Sequence, residues 1–167
     1  MSRQSIESLV AELDCDEMIR CQNARRALVS RKNEAVPALV VALQNKKPWV
    51  RWEAAKALAQ IGDPSATAPL IDALGDKAFD VRWLAAEGLI HLGRKAVSPL
   101  LKALIGNPGS VWLREGAHHV LHDMYRGNWD TALKPVMKAL EGAHPSVEVP
   151  LAASKAIGII ETKGETR

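Results

Sequence analysis

The sequence predicts an all-α fold, a right-handed α-α superhelix of about five helix pairs. Two internal repeats lead to this prediction. The stretch Val50–Leu58 (VRWEAAKAL) recurs 31 residues later as Val81–Leu89 (VRWLAAEGL), and Pro69–Leu74 (PLIDAL) recurs as Pro99–Leu104 (PLLKAL). Within each copy the apolar residues recur at intervals of three and four, which is typical of a helix. Because one helix pair cannot bury its apolar face alone, such pairs are expected to stack.

Each repeat is predicted to contain two helices. The second helix ends at a glycine, Gly62 in one copy and Gly93 in the next, where a left-handed turn stops the helix. Paired alanines at Ala54–Ala55 and Ala85–Ala86 let neighbouring helices approach closely. The first helix is short and carries an internal or N-terminal proline, which a helix tolerates in its first turn. These prolines are Pro37, Pro69, Pro99 and Pro135.

Weaker copies extend the repeat towards both ends of the chain. Ala24–Leu28 precedes the matching stretch Ala54–Leu58 by 30 residues, and Leu151–Ala153 resembles Leu84–Ala86. Divergent ends are expected where terminal units cap a stack. We therefore predict a single domain over residues 1–167. It divides into an N-terminal capping pair at 1–33, three central repeats at 34–125 and a C-terminal capping pair at 126–167.

The composition indicates a soluble domain with no strong charge bias. The chain has 167 residues, 47% hydrophobic and 25% charged, with a net charge of +3. Its longest apolar runs, Val36–Leu43 and Ile157–Ile160, are far shorter than the roughly 20 residues of a membrane span. Cys15 and Cys21 match no zinc or redox motif. We therefore predict a cytoplasmic protein with two free thiols and no membrane association.

The repeat pattern resembles the HEAT-like repeat family first named from phycobilisome lyases. The resemblance covers nearly the whole chain and is densest over residues 34–105. That family includes scaffolds, bilin lyases, an iron hydroxylase and DNA-repair enzymes. The resemblance therefore predicts the fold, a HEAT-like solenoid, more specifically than the function.

The resemblance also implies a binding surface. In the family the second helix of each pair lines a concave groove, and positions flanking the paired alanines point into it. Helical spacing agrees, because Trp52, Lys56 and Gln60 recur every four residues, on the side away from Val50 and Ala54. The predicted groove residues are Gln22, Asn23, Arg26, Trp52, Glu53, Lys56, Gln60, Trp83, Leu84, Glu87, His91, Glu115 and His119.

Tryptophan is the dominant aromatic residue of the chain, with five copies against one Phe and one Tyr. Trp52 and Trp83 occupy equivalent repeat positions, so we expect them on adjacent helices facing the same groove. Tryptophan is enriched at binding hot spots, which favours a binding role. Packing between repeats is the alternative. Trp49, Trp112 and Trp129 are predicted to be structural.

A second repeated position carries arginine, at Arg51, Arg82 and Arg114. In the family such arginines join adjacent units through a nearby aspartate. A bidentate arginine–carboxylate pair is a stacking device, and we favour that role over phosphate binding. The candidate aspartates are Asp63, Asp76 and Asp80.

No catalytic or metal site is predicted. The family's iron hydroxylase uses His-Glu pairs at the start of its second helices, where this sequence has Trp52–Glu53 and Trp83–Leu84. Tryptophan does not ligate a metal. Glu115, His118 and His122 share one helical face, but partly buried histidines with satisfied hydrogen bonds are the commoner outcome. The chain is therefore predicted not to be an enzyme and to need no cofactor.

These observations favour a non-catalytic scaffold whose concave groove binds another protein or a peptide. One alternative is nucleic-acid binding or DNA-base repair in the same groove, because Trp52, Trp83, Glu53 and Glu87 suit a cationic base. A second alternative is a bilin lyase-type subunit. Apolar residues at both ends of the chain also allow end-to-end association of identical copies.

Overall fold

The computed structural model describes residues 4–125 and 130–164, and within these ranges the chain is helical and has no β-strand. Short 3-10 turns at Lys32–Ala35 and Pro64–Ala66 precede the third and fifth helices. The helices follow one another as five pairs, so the predicted all-α solenoid of about five helix pairs is confirmed. In this part of the chain they are α1 Ile6–Ala11, α2 Met18–Ser30, α3 Val36–Ala42, α4 Pro48–Ile61, α5 Thr67–Ala73, α6 Phe79–Leu92, α7 Arg94–Gly106, α8 Val111–Tyr125, α9 Asp130–Leu140 and α10 Pro145–Gly164.

The helices form two compact units. The N-terminal unit, Met1–Leu92, contains α1 to α6, and the C-terminal unit, Gly93–Arg167, contains α7 to α10. None of the described helices is both long and apolar enough to cross a membrane.

The second helices form one layer of the N-terminal unit. Helix α4 packs against α2 on one side and α6 on the other, and each second helix also packs on its own first helix. The contact between α4 and α6 is close at Gly88, where a Cβ atom would lie 2.9 Å from Leu70 Cδ1 and 3.3 Å from the Cβ of Ala59. The leucines of this core are fully buried: Leu13, Leu28, Leu39, Leu58, Leu70, Leu74 and Leu89.

Helix α4 ends as the sequence predicts. Gly62 adopts the left-handed conformation, with φ 65° and ψ 28°, and its N–H donates to the carbonyl of Leu58 over 3.0 Å. The ring of His91 lies directly against this turn, since a Cβ on Gly62 would be 2.9 Å from His91 Cδ2. Both the backbone angle and the close ring therefore require glycine here.

The C-terminal unit is built by α10, which packs on α7 and α9, and by α8, which contacts the same two helices. The prediction that each first helix carries an internal or N-terminal proline is confirmed: Pro37 and Pro69 lie in the first turns of α3 and α5, and Pro99 and Pro135 lie inside α7 and α9. Those two helices begin five residues before their prolines, so each proline follows a complete helical turn. The buried leucines of this unit are Leu100, Leu101, Leu104, Leu121 and Leu133.

Arg51 and Asp76 link two repeats of the N-terminal unit. The Nε and Nη2 of Arg51 donate to the two carboxylate oxygens of Asp76 over 2.6 and 2.8 Å. Burial alone would raise the pKa of Asp76, but hydrogen bonds from Arg51 and the Ala78 N–H, together with the charges of Arg51 and Arg82, lower it below its ordinary value. Among the predicted aspartate partners of the repeated arginines, Asp76 is therefore confirmed.

The repeated arginines share a second contact. Arg51, Arg82 and Arg114 each donate an Nη1 hydrogen bond to the backbone carbonyl six residues earlier. These carbonyls belong to the loop before α4, α6 or α8, where no helical N–H reaches them. Each arginine therefore holds the loop that leads into its own helix.

A buried ion pair joins α2 to α4. Arg25 is 7% exposed and Glu53 6% exposed, and Arg25 Nη1 lies 2.5 Å from Glu53 Oε2. Glu53 was predicted to face a partner in the groove, and its burial corrects that prediction. Arg25 on α2 is also buried, and the carboxylate of Glu53 faces its guanidinium instead of the groove. The Nε of Arg25 is buried without a hydrogen-bond partner among the described residues.

A disulfide joins Cys15 and Cys21, so the prediction of two free thiols is wrong. The segment between α1 and α2 folds back and brings the two Cα atoms to 5.9 Å, within the range that a disulfide spans. No spacing motif marks this pair, because the approach depends on the direction of the chain after α1.

Asp76→Asn should destabilise the N-terminal unit by roughly 2–4 kcal/mol, because Arg51 keeps its charge in a mostly buried position without its partner. A carboxylate with a lowered pKa stabilises the folded state above its ordinary pKa of 3.8, and this contribution is lost as pH falls through the lowered value. Urea unfolding at pH 7 and below pH 4 measures both effects.

The matched control for this prediction is Asp72→Asn, which removes an exposed carboxylate of α5 and should change stability by about 0.5 kcal/mol or less. The variant at Asp76 should lose less stability than the wild type between neutral and acid pH. Equal losses in the two proteins would contradict the stabilising role of this ion pair.

Glu53→Gln should cost about 3–5 kcal/mol, because it leaves the Arg25 guanidinium buried without a counter-charge. Replacing both partners, as Arg25→Met with Glu53→Leu, should restore most of this loss, since leucine stands at the equivalent position 84. Thermal unfolding of the wild type, of Arg25→Met alone, of Glu53→Leu alone and of the double variant measures the coupling between the two side chains. Additive losses would show that the two side chains do not stabilise each other.

Candidate protein-binding face

The second helices of the N-terminal unit each leave one side outside the core. Trp52, Lys56 and Gln60 lie along one side of α4 at four-residue spacing, and none of them is buried. Trp83, Glu87 and His91 repeat this arrangement on α6. We call this surface the second-helix face. Its members, all half-buried or exposed, are Gln22, Asn23, Arg26, Trp52, Lys56, Gln60, Trp83, Leu84, Glu87 and His91.

Trp52 is held between cationic side chains. The Lys56 ammonium lies 4.4 Å from the centroid of the indole, and the Arg25 guanidinium carbon lies 5.9 Å from it. Both distances suit cation–π attraction. Since Arg25 is itself fixed by Glu53, the half-buried indole has a defined orientation on the helix surface.

The first turns of α6 present two exposed aromatic rings. Trp83 is 47% exposed and Phe79 is 63% exposed, and their ring centroids are 6.4 Å apart. The guanidinium carbon of Arg82 lies 5.6 Å from the Phe79 centroid. Phe79 was not among the predicted site residues, because its repeat equivalent is Pro48 rather than an aromatic residue. Exposed neighbouring aromatic rings are typical of interaction surfaces.

Trp49 is tied to the segment that follows α1, in agreement with its predicted structural role. Its Nε1–H donates to Asp14 over 3.1 Å, and the Lys47 ammonium lies 2.7 and 2.8 Å from the two oxygens of the same carboxylate. The hydrogen bond from Lys47, followed by that from Trp49, lowers the pKa of Asp14. The indole nevertheless remains 49% exposed.

A cavity of about 370 Å³ opens between the starts of α4 and α6. Its lining is mostly apolar and includes two indoles and one carboxylate. We call it the indole cavity. It is lined by Pro48, Trp49, Trp52, Ala78, Asp80 and Val81.

A second, larger cavity of about 780 Å³ lies between the loops that precede α4 and α6. We call it the polar loop cavity. Its lining includes the Arg51–Asp76 pair and the exposed side chains of Lys46, Asp72 and Lys77. Because its charged centre is already paired, we interpret it as part of the contact between repeats.

The remaining predicted groove residues lie on α8 in the C-terminal unit, where Glu115 is exposed and His119 is half-buried. His118 Nε2 lies 3.1 Å from Glu141 Oε1, and the rings of His118 and His122 stack with centroids 6.0 Å apart. Within the described part of the chain, no group of three His, Cys, Asp or Glu side chains is placed to hold a metal ion.

The first residues of α8 are also apolar and exposed. Val111 is 55% exposed and Trp112 is 42% exposed. Trp112 was predicted to be structural. Exposure of its indole does not test that role, so this stays a prediction. Trp129 lies outside the described residues.

Comparison with known proteins places this geometry in a family. A family model described as HEAT repeats matches residues 6–90. Among solved structures, the complex of CpcE and CpcF of phycocyanin lyase from Nostoc sp. PCC7120 contains a chain that is 26% identical, with a TM-score of 0.53. The alignment covers 94% of this chain and 65% of the solved chain. No curated protein matches the sequence.

The solved complex corrects one prediction. The chain was predicted not to be an enzyme, but the structure that it resembles over nearly its whole length is a lyase. That prediction is therefore wrong as stated. Its weakness was physical: a search for catalytic side-chain patterns within one chain does not detect activity that an assembly of chains performs.

The model match covers α1 to α6 almost completely, including every residue of the second-helix face except His91. The solved complex extends the likeness to most of the remaining helices. The matched residues amount to just over half of the chain. The chain therefore belongs to the HEAT repeat family.

Proposed function

We propose that this chain is a subunit of a two-protein, lyase-type complex and that its second-helix face binds a partner protein. The observation that supports the proposal most directly is the likeness to a chain from a lyase complex of two proteins. This chain spans 65% of the length of that solved chain, so the activity, the substrate and the partner all belong to the proposal.

The aromatic residues of the N-terminal unit suit this role. Trp83 and Phe79 are large, exposed and adjacent, and Trp52 is half-buried on the neighbouring helix. Interface hot spots are enriched in tryptophan because the indole offers a large rigid surface and one hydrogen-bond donor. Because α4 and α6 pack together, we propose that these three rings make up the apolar centre of the interface.

Polar residues surround this apolar centre, as in ordinary protein interfaces. Asn23 and Arg26 on α2, and Gln60 on α4, are exposed. Because Trp52 is oriented by Arg25 and Lys56, a partner meets a preorganised ring, which lowers the entropic cost of binding. In the C-terminal unit we propose Glu115 and His119 as additional contacts.

The nucleic-acid alternative has weaker support. Two of the cations near the indoles are already neutralised, Arg25 by Glu53 and Lys47 by Asp14. Phosphate binding depends on unpaired cations and weakens steeply with salt. A mobility-shift series between low and moderate salt therefore separates this alternative from protein binding.

Trp52→Ala combined with Trp83→Ala should leave the helical circular-dichroism spectrum unchanged and weaken partner binding by roughly 30-fold or more, since each truncation removes a hot-spot ring. The tagged chain captures its partner from native lysate, mass spectrometry identifies it, and titration of the purified pair measures the affinity.

The matched control is Trp112→Ala, which removes an exposed indole of the C-terminal unit and should change the affinity by less than about threefold. Unchanged binding by the double variant would exclude the second-helix face as the interface. An equal loss of affinity in the Trp112→Ala control would show that exposed indoles contribute to partner binding wherever they lie on the chain.

A further inference from the structure

We propose that the indole cavity binds a basic side chain, arginine or lysine, of the partner protein. The inference rests on the proposed function, because it names the chemistry of the segment that reaches the N-terminal unit. It concerns the space between the starts of α4 and α6 rather than the whole second-helix face.

The lining of the cavity matches an alkyl chain that ends in a cation. Pro48, Ala78, Val81 and the two indoles supply apolar surface, and Asp80 supplies one carboxylate. Long basic side chains bury their methylene groups against apolar surface and keep the charged end at a polar group. A volume of about 370 Å³ is sufficient for one such side chain.

Asp80 is the charged member of this lining. Its side chain is exposed and forms no hydrogen bond or ion pair with any residue that the structure describes. Asp80 lies in the first turn of α6, where a carboxylate interacts favourably with the helix dipole. This interaction occupies neither carboxylate oxygen, so both remain open to a ligand. An unpaired carboxylate beside indoles favours a cationic ligand.

The nearby cations do not fill the cavity. Lys47, Lys56 and Arg25 contact the two indoles, but none of them lines it. Two of these three are neutralised, Lys47 by Asp14 and Arg25 by Glu53. The exposed Lys46 and Lys77 line the polar loop cavity instead. Asp80 is therefore the charged residue of the lining, and the lining carries a negative charge.

An acidic ligand would be opposed at the same place. A second carboxylate beside Asp80, in a mostly apolar recess, would face like-charge repulsion and desolvation. A neutral polar side chain would gain the apolar contacts without the ion pair. The sign of the ligand's charge is therefore the property to test.

The experiment uses blocked pentapeptides that differ at one central residue, arginine, its neutral analogue citrulline, or glutamate. They are titrated into the full-length ¹⁵N-labelled chain, and the indole N–H signals are assigned with Trp→Phe variants. The signals of Trp49 and Trp52 should shift, and arginine should bind about three- to fivefold more tightly than citrulline, as expected for one exposed charge pair.

Three substitutions test the carboxylate. Asp80→Asn should reduce arginine binding to the citrulline level, and Asp80→Glu should keep the preference. Asp72→Asn removes an exposed carboxylate that lines the polar loop cavity and not the indole cavity, so this variant should also keep the preference for arginine. Circular dichroism confirms that each variant is folded.

Several results would overturn the inference: equal binding of arginine and citrulline, tighter binding of glutamate, an unchanged preference in the Asp80→Asn variant, or no indole shift with any peptide. The capture experiment separates this failure from that of the proposed function. If the two tryptophan truncations abolish capture while no peptide shifts an indole, only the inference fails. If arginine binds through Asp80 while the truncations leave capture unchanged, only the proposed interface fails.

Discussion

The bidentate contact between Arg51 and Asp76 determines where the candidate sites of the N-terminal unit lie. Arg51 belongs to the first turns of α4, and Asp76 belongs to the loop that leads into α6. The same carboxylate accepts the N–H of Ala78, so one side chain both joins two repeats and directs the chain into α6. Ala78 and Asp80 then line the indole cavity, and Trp83 follows one turn later. A structural ion pair therefore positions residues that do not touch it.

The helix pairs could be predicted because stacking repeats impose a periodic pattern on the sequence. Positions that face neighbouring helices, such as Val50 and Val81 or Ala54 and Ala85, are buried alike in successive copies. The end of α4 at Gly62 was also predictable, since few residues adopt a left-handed backbone without strain. The start of α7 was not, because its first residues continue directly from Gly93 and extend the helix ahead of Pro99.

The site was predictable only where one helix alone determines exposure. Four-residue spacing placed Trp52, Lys56 and Gln60 on one side of α4 correctly. Glu53 differs because its position depends on a residue 28 positions earlier in the chain, Arg25, whose charge draws the carboxylate inward. The disulfide between Cys15 and Cys21 likewise depends on a turn without a sequence signature. The repeat pattern predicts only features that successive repeats share. The ion pair and the disulfide each occur in one place, so the pattern does not predict them.

That difference is itself informative about binding. One repeat position is occupied by Asn23, Glu53 and Leu84 in successive copies. Asn23 is exposed, Glu53 is buried in an ion pair, and Leu84 is apolar and half-buried. If this position served stacking alone, successive copies would be expected to keep one chemical type, as the buried alanines do. A buried ion pair is weak evidence for stability, because well-packed apolar residues are often equally stable. The Arg25–Glu53 pair has a second consequence, since it holds a guanidinium near Trp52 while cancelling its charge. The pair therefore orients the half-buried ring of Trp52 while the charge of Arg25 is offset by Glu53, and a ring of fixed orientation suits a binding anchor because less entropy is lost on binding.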